Sequence, residues 1–329
     1  MLINCLFFVA LSGFFLTVFF ISLFKKLAVK YKILMPQGIP LVGGIAIGLS
    51  FAVVSILGFF LCRGFSQEVT GIIISSFTML IFGIIDDWHE LSIKAKFLVQ
   101  IIATSLLILF GIKTQIVYIG NVANIIITFI WVLGITNAIN HLDVIDGLAA
   151  GTVMFASLAF FAIAIFNGDI KTAALSLTLT VTAFSFLFYN FPPAKIYMGN
   201  SGSHFLGFVL AAIALVVSYA PLERKIALFS PLLILGLPMF DTAFLILARI
   251  VKKSLPFKKS NDHLALIFLA LGYSKKKILL IMLALCLFFS ISGILLSQVS
   301  SLFGIGIIVF LVVMSLALTI GMGKAVLYK

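Results

Sequence analysis

The stretch NAINHLDVIDGLAAG, residues 137–151, sets Asn137, Asn140, Asp143 and Asp146 at three-residue steps in a chain with ten acids among 329 residues. Groups at that spacing are surface neighbours on a helix. On one straight helix the row slants and its ends point apart, but a break in the helix would turn all four oxygens toward one place. Helix capping by Asn and Asp accounts for one or two of these residues and not for the set.

Three other stretches carry chemistry. In GIIDDWHELSIKAKF, adjacent Asp86 and Asp87 repel each other unless a cation is close. With Lys94 and Lys96 following, this is a place for phosphate, a divalent metal or both. In PPAKIYMGNSGSHFLG, a Pro-Pro step and Lys195 precede a turn, Gly199 to Ser203, at the start of a helix. Backbone amides at such a start favour an anion, commonly phosphate. The last stretch, RIVKKSLPFKKSNDHLALIF, is basic and contains His263; its lysines suit lipid headgroups.

The elements that must hold these residues are membrane helices. The chain is 63% hydrophobic, with charged residues at 10% and a mean hydropathy of +1.30. A water-soluble globule would lack the polar surface to cover such a core. About eleven apolar runs approach the ~20 residues needed to cross a bilayer. They begin near Leu2, Leu41, Val69, Phe97, Val122, Gly147, Thr172, His204, Phe229, Ile278 and Leu302. Runs such as FFVALSGFFLTVFFISLF are apolar on every face, which predicts helices and excludes a barrel. The first run lacks a basic leader and a cleavage site and is followed by Lys25 and Lys26, so it is expected to be a retained helix. Cys5, Cys62 and Cys286 have no ligand-like spacing and are expected to be packing residues. The expected architecture is one all-α polytopic membrane domain spanning residues 1–329.

Charge orients the domain. With the N-terminus outside, Arg63, Lys113, Lys171, Arg224 and Lys225 lie outside, leaving seventeen of 22 basic residues in the cytoplasm. Seven acids, Asp86, Asp87, Glu90, Asp143, Asp146, Asp241 and Asp262, then fall on the cytoplasmic side. The net charge of +12 is therefore read as contact with anionic headgroups rather than nucleic acid.

Taken in order, these stretches resemble the polyprenyl-phosphate N-acetylhexosamine-1-phosphate transferases, from about Pro36 to Lys277. IPLVGG is similar to that family's Pro-x-x-Gly-Gly, and Asp86-Asp87 with Lys96 to its Asp-Asp motif. NAINHLDVIDGLAAG is similar to Asn-x-x-Asn-x-x-Asp-Gly-x-Asp-Gly-Leu-Ala, MGNSGS to Met-Gly-Asp-x-Gly-Ser, and PMFDT to Pro-x-x-Asp. The resemblance implies transfer of a sugar 1-phosphate from a UDP-sugar to undecaprenyl phosphate in the bacterial inner membrane, with release of UMP. Magnesium is implied, with manganese as its substitute, and a homodimer is compatible. The implied product begins a surface glycan such as O antigen.

Carried over residue by residue, Asp86 activates or orients the lipid phosphate, Asp87 supports it and Lys96 neutralises phosphate charge. Asn140 and Asn200 stand at metal-ligand positions. Asn137, Asp143, Asp146, Lys195, Gly199, Ser201 and His263 contact the nucleotide-sugar and its diphosphate. The chain departs from the family at Asn200, where an aspartate is expected, at Val144 in place of glycine, and in HLAL, which keeps only His263 of a His-x-His-His run. These departures argue against the muramoyl-pentapeptide branch. Two other readings are a transporter, which would place acids in mid-span and show repeats, and a silent homologue that binds lipid phosphate without turnover.

Overall fold

The computed structural model describes residues 2–61, 66–219, 224–252 and 262–327. The described residues form thirteen α-helices, two short 3-10 turns and no strand. The helices are α1 (Leu2–Tyr31), α2 (Gly43–Leu61), α3 (Gln67–Trp88), α4 (Ile93–Leu109), α5 (Gly120–Leu142), α6 (Leu148–Phe166) and α7 (Ile170–Asn190). They continue with α8 (Gly199–Val216), α9 (Ser230–Ile234), α10 (Gly236–Val251), α11 (Leu264–Ala270), α12 (Lys275–Gln298) and α13 (Ser301–Leu327).

Nine of these are long and apolar enough to cross a membrane, and the pair made by Lys225–Ile234 and Gly236–Val251, bent by 69°, makes up to ten. The protein is thus an all-helical, multi-pass membrane protein. At 17 residues α4 falls at the short end of the spanning range. The bend has a local cause. Pro238 has no N–H for the Ile234 carbonyl and its ring crowds that carbonyl, so α9 stops there and α10 starts afresh.

Several helices begin earlier than the apolar runs suggest. Ser92 caps α4 by accepting from Ala95 N, and Ser274 caps α12 by accepting from Lys277 N. A capped first turn satisfies its own N–H groups, so the helix extends past the hydrocarbon into polar residues.

The centre of the bundle is α8, whose residues from Ser201 to Ala214 are all buried. It is surrounded by α2, α3, α5, α6 and α7. Gly207 lets α8 approach the backbone of Thr136 on α5, where a Cβ would stand 2.9 Å from Thr136 Cα. Such small-residue contacts bring helix backbones together where no water is present to drive apolar association. By contrast, α1 and α13 lie at the periphery with few of their described side chains buried.

Cys5 is disulfide-bonded, a correction to its expected packing role, whereas Cys286 is free and buried. Cys62 and the lysine-rich stretch 253–261 lie outside the described residues.

Candidate active site

The ends of α3, α5, α7 and α8 and the start of α12 meet at one end of the bundle, and α3 is joined there to α8 by its own carboxylate. Asp87, in the last turn of α3, accepts the backbone N–H of Asn200 at 2.7 Å and of Ser201 at 3.1 Å. An anion at a helix N-terminus is stabilised by unpaired N–H groups and the helix dipole. The start of α8 therefore already holds an anion, which belongs to the chain. Gly199 makes this possible: its φ is +75°, and a Cβ there would lie 2.5 Å from Asp87 Oδ2.

The IPLVGG stretch closes the same corner. Gly43 N and Gly44 N donate to the carbonyls of Tyr197 (3.0 Å) and Met198 (2.9 Å), and Tyr197 N donates to the Pro40 carbonyl (2.8 Å). A side chain at Gly44 would strike the backbone of Gly202, and one at Gly83 that of Ser201. The paired glycines of this motif thus serve backbone approach.

The second polar stretch breaks where α5 ends. Asp143 follows α5 as its C-cap, and Gly147 opens α6. Asn190, at the end of α7, clasps this turn by accepting Gly147 N at 2.7 Å and donating to the Ile196 carbonyl at 2.9 Å. Asp146 Oδ2 accepts Ala194 N at 3.3 Å and lies 3.8 Å from Lys275 Nζ. Asp87, Asp143, Asp146, Asn200 and Lys275 line one cavity of about 430 Å³, with Asn190 and Tyr197 on its wall.

Although part of Asp143 opens into this cavity, burial pushes its carboxyl up to about 8, reinforced by the charges of Asp87 and then Asp146.

The four-residue row does not converge as a set. Asn137 turns to α4, exchanging amide hydrogen bonds with Gln100 at 2.8 and 3.2 Å and donating to the Leu133 carbonyl. Asn140 points into α8, donating to Ser203 Oγ at 2.8 Å and Asn200 Oδ1 at 3.3 Å. Only Asp143 and Asp146 line the cavity.

Asp86 faces away from its neighbour. It is buried, accepts Leu91 N at 2.8 Å and pairs with Lys96 Nζ at 2.5 Å. The pair lies outside the cavity lining, with the Lys96 side chain 24% exposed. Lys195 is exposed and Ser201 is buried, contributing its backbone N–H.

His263 belongs to a second cluster. Its Nδ1 stands 2.9 Å from Asp241 Oδ2, while Asp241 Oδ1 accepts Leu264 N at 2.9 Å. The His141 ring lies 6.0 Å from that of His263. The Pro-x-x-Asp motif thus orients the histidine.

Sequence reasoning did not single out Asn190, Tyr197 or Lys275. A polar residue closing an apolar helix was the available signal for Asn190; Lys275 is hidden in a run of three lysines.

Comparison with known proteins agrees with this geometry. Residues 69–218, from α3 through α8, match Glycosyl transferase family 4. The chain is 34% identical over 288 residues to a Bacillus subtilis (strain 168) protein named "Probable undecaprenyl-phosphate N-acetylglucosaminyl 1-phosphate transferase", covering 83% of this chain and 78% of that one. It is 27% identical over 261 residues to a Thermotoga maritima undecaprenyl-phosphate alpha-N-acetylglucosaminyl 1-phosphate transferase, covering 78% and 77%. A Mycobacterium leprae decaprenyl-phosphate N-acetylglucosaminephosphotransferase is 31% identical over 252 residues, covering 67% of this chain and 63% of that protein. With the family match running from α3 through α8 and the Bacillus subtilis relative aligned over 83% of the chain, this chain is a phospho-sugar transferase and belongs to Glycosyl transferase family 4.

Proposed function

We propose that the protein transfers N-acetylglucosamine 1-phosphate from its UDP-sugar to undecaprenyl phosphate at the cytoplasmic face of the inner membrane. An oxygen of the lipid phosphate attacks the sugar-bearing phosphorus. The bond from that phosphorus to the bridging oxygen breaks, and UMP leaves. The product, a lipid-diphosphate sugar, begins a surface glycan such as O antigen. The observation that carries this reading is the polar cavity between helix ends, where Asp87, Asp143, Asp146, Asn200 and Lys275 meet at one end of a membrane bundle. The sugar and lipid are those in the names of the relatives.

Phosphoryl transfer depends on positioning and charge neutralisation more than on covalent help. In this reading Asp87 sets the start of α8, and Lys96, oriented by Asp86, faces the acceptor phosphate. Asp143 and Asp146 hold the donor side, and His263, oriented by Asp241, approaches the diphosphate.

Magnesium, or manganese in its place, belongs to the proposal. The residues fit: Asp143 and Asn200 line one cavity, whereas Asn140, the other expected ligand, lies outside that lining and donates to the Asn200 amide oxygen, and a carboxyl pushed up by burial and then by its neighbours' charge is one that a cation relieves. Among the described residues no three His, Cys, Asp or Glu groups are placed to hold an ion unaided. Magnesium commonly takes one or two carboxylates plus substrate phosphates, so the donor completes the ligand set. When bound, the ion neutralises charge on the diphosphate.

The side assignment rests on the seventeen basic residues that this orientation assigns to the cytoplasm. It is supported by the disulfide at Cys5 near the start of α1, at the opposite end, since disulfides persist outside the reducing cytoplasm. The test is UMP release by the purified chain with undecaprenyl phosphate, magnesium and a panel of UDP-sugars. UDP-N-acetylglucosamine is expected to react. Absence of UMP with every donor overturns the reading and favours a homologue that binds lipid phosphate without turnover.

A further inference from the structure

We propose that Lys275 selects a nucleoside diphosphate over a monophosphate, its ammonium leaving Asp146 to pair with the donor's second phosphate; this rests on the transfer reaction proposed above. The cavity poses a charge problem. Its lining holds three carboxylates, Asp87, Asp143 and Asp146, and one cationic side chain, Lys275. The charge of Asp87 is answered by the N–H groups of Asn200 and Ser201. Asp146 remains to repel a diphosphate.

Lys275 has a free head on a fixed helix start. Its Nζ is 3.8 Å from Asp146 Oδ2, beyond hydrogen-bond length, and its side chain is 55% exposed. An exposed pair of this kind contributes little to stability, so exchanging one oxygen partner for another costs little. Asp146 is not stranded by the exchange, because Ala194 N still donates to it at 3.3 Å.

The helix start is held from below. Ser274 caps α12, its carbonyl accepting Ile278 N at 3.0 Å, and Ile278 and Leu279 are fully buried. Leu279 packs over Gly147, in the same turn as Asp146: a Cβ on that glycine would lie 3.0 Å from Leu279 Cδ2. The ammonium is therefore delivered to one side of the cavity by a rigid helix start. The neighbouring lysines are turned elsewhere: Lys277 stands over the Tyr273 ring at 4.5 Å, and Lys276 is absent from the lining. A lysine ammonium is a compact point charge with rotatable donors, suited to a phosphate whose position shifts along a reaction.

The test compares UDP and UMP as inhibitors of the full chain in detergent, together with donor kinetics. Lys275→Ala is expected to weaken UDP on the order of tenfold, the loss of one charge-assisted contact, and to leave UMP within about twofold. Donor KM should rise by a similar factor while kcat stays within about threefold. Lys275→Arg should restore most of the UDP affinity, and Lys276→Ala should match the wild type. Equal effects on UDP and UMP, no effect on either, or an arginine variant as weak as alanine would each overturn the proposal. A wild type that releases no UMP and binds neither nucleotide would instead refute the reaction on which it rests.

Discussion

Asp87 accepts the backbone N–H of Asn200 at 2.7 Å across 113 residues of sequence, so the paired-acid motif and the glycine-rich motif form one joint between α3 and α8. Asp87→Ala should remove a helix cap and destabilise the protein by about 0.5–2 kcal/mol. Gly199→Ala should be costly as well, because its φ of +75° disfavours a side chain and the new Cβ meets Asp87. Since both changes act on one contact, their effects should fail to add. Apparent unfolding temperatures of the two single variants and the double variant check this, and simple additivity would show that the two residues act independently.

Asp86→Asn should lower turnover at least ~100-fold, the scale of lost orienting or acid–base help, with normal membrane insertion. The structure adds that Lys96→Met should have a comparable effect, because each holds the other in place. Rates of UMP release from Asp86→Asn, Lys96→Met and their combination decide the matter; a near-wild-type Asp86→Asn would remove the pair from the mechanism.

Asp143 gives the protein a pH-dependent stability. Free aspartate titrates near 3.8, whereas burial, reinforced by the charges of Asp87 and Asp146, holds this carboxyl protonated up to about 8. Between those values the folded state keeps a proton that the unfolded chain has lost, so stability falls as pH rises through the window. Below it the difference vanishes, and above it the full cost is present. Asp143→Asn should therefore gain on the wild type in unfolding temperature from pH 5 to pH 8 in the absence of divalent ions. A constant difference across that range would refute the shift.

Asn200 offers an amide oxygen where relatives are expected to carry a carboxylate, which removes one unit of negative charge. Magnesium prefers anionic oxygen, so Asn200→Asp should lower the magnesium concentration that gives half-maximal rate. Identical magnesium titrations for two active proteins would show that residue 200 does not contact the ion.

Ser92, between α3 and α4, and Gln67, at the start of α3, are both exposed and lie at opposite ends of one span. Cysteines placed there should react with impermeant thiol reagents from opposite sides, Ser92→Cys from the cytoplasm and Gln67→Cys from outside. Labelling of both from one side would break the proposed orientation.

Much of the architecture was determined by local sequence. Long apolar runs must become helices in lipid, where each backbone N–H and C=O needs an internal partner, and short polar breaks in those runs place the acids at helix ends. What each acid does was decided by packing. Successive residues on a helix point about 100° apart, so adjacent Asp86 and Asp87 serve different neighbours, Lys96 on α4 and the first N–H groups of α8. The same rotation sends Asn137 to Gln100 and leaves Asp143 and Asp146 to line the cavity once α5 has ended. Three-residue spacing specified a slanting row, but not which helices would lie along it. Lys275 shows the point most plainly: within a lysine run it is one charge among several, and only the contact of Leu279 with the turn at Gly147 brings its ammonium beside Asp146.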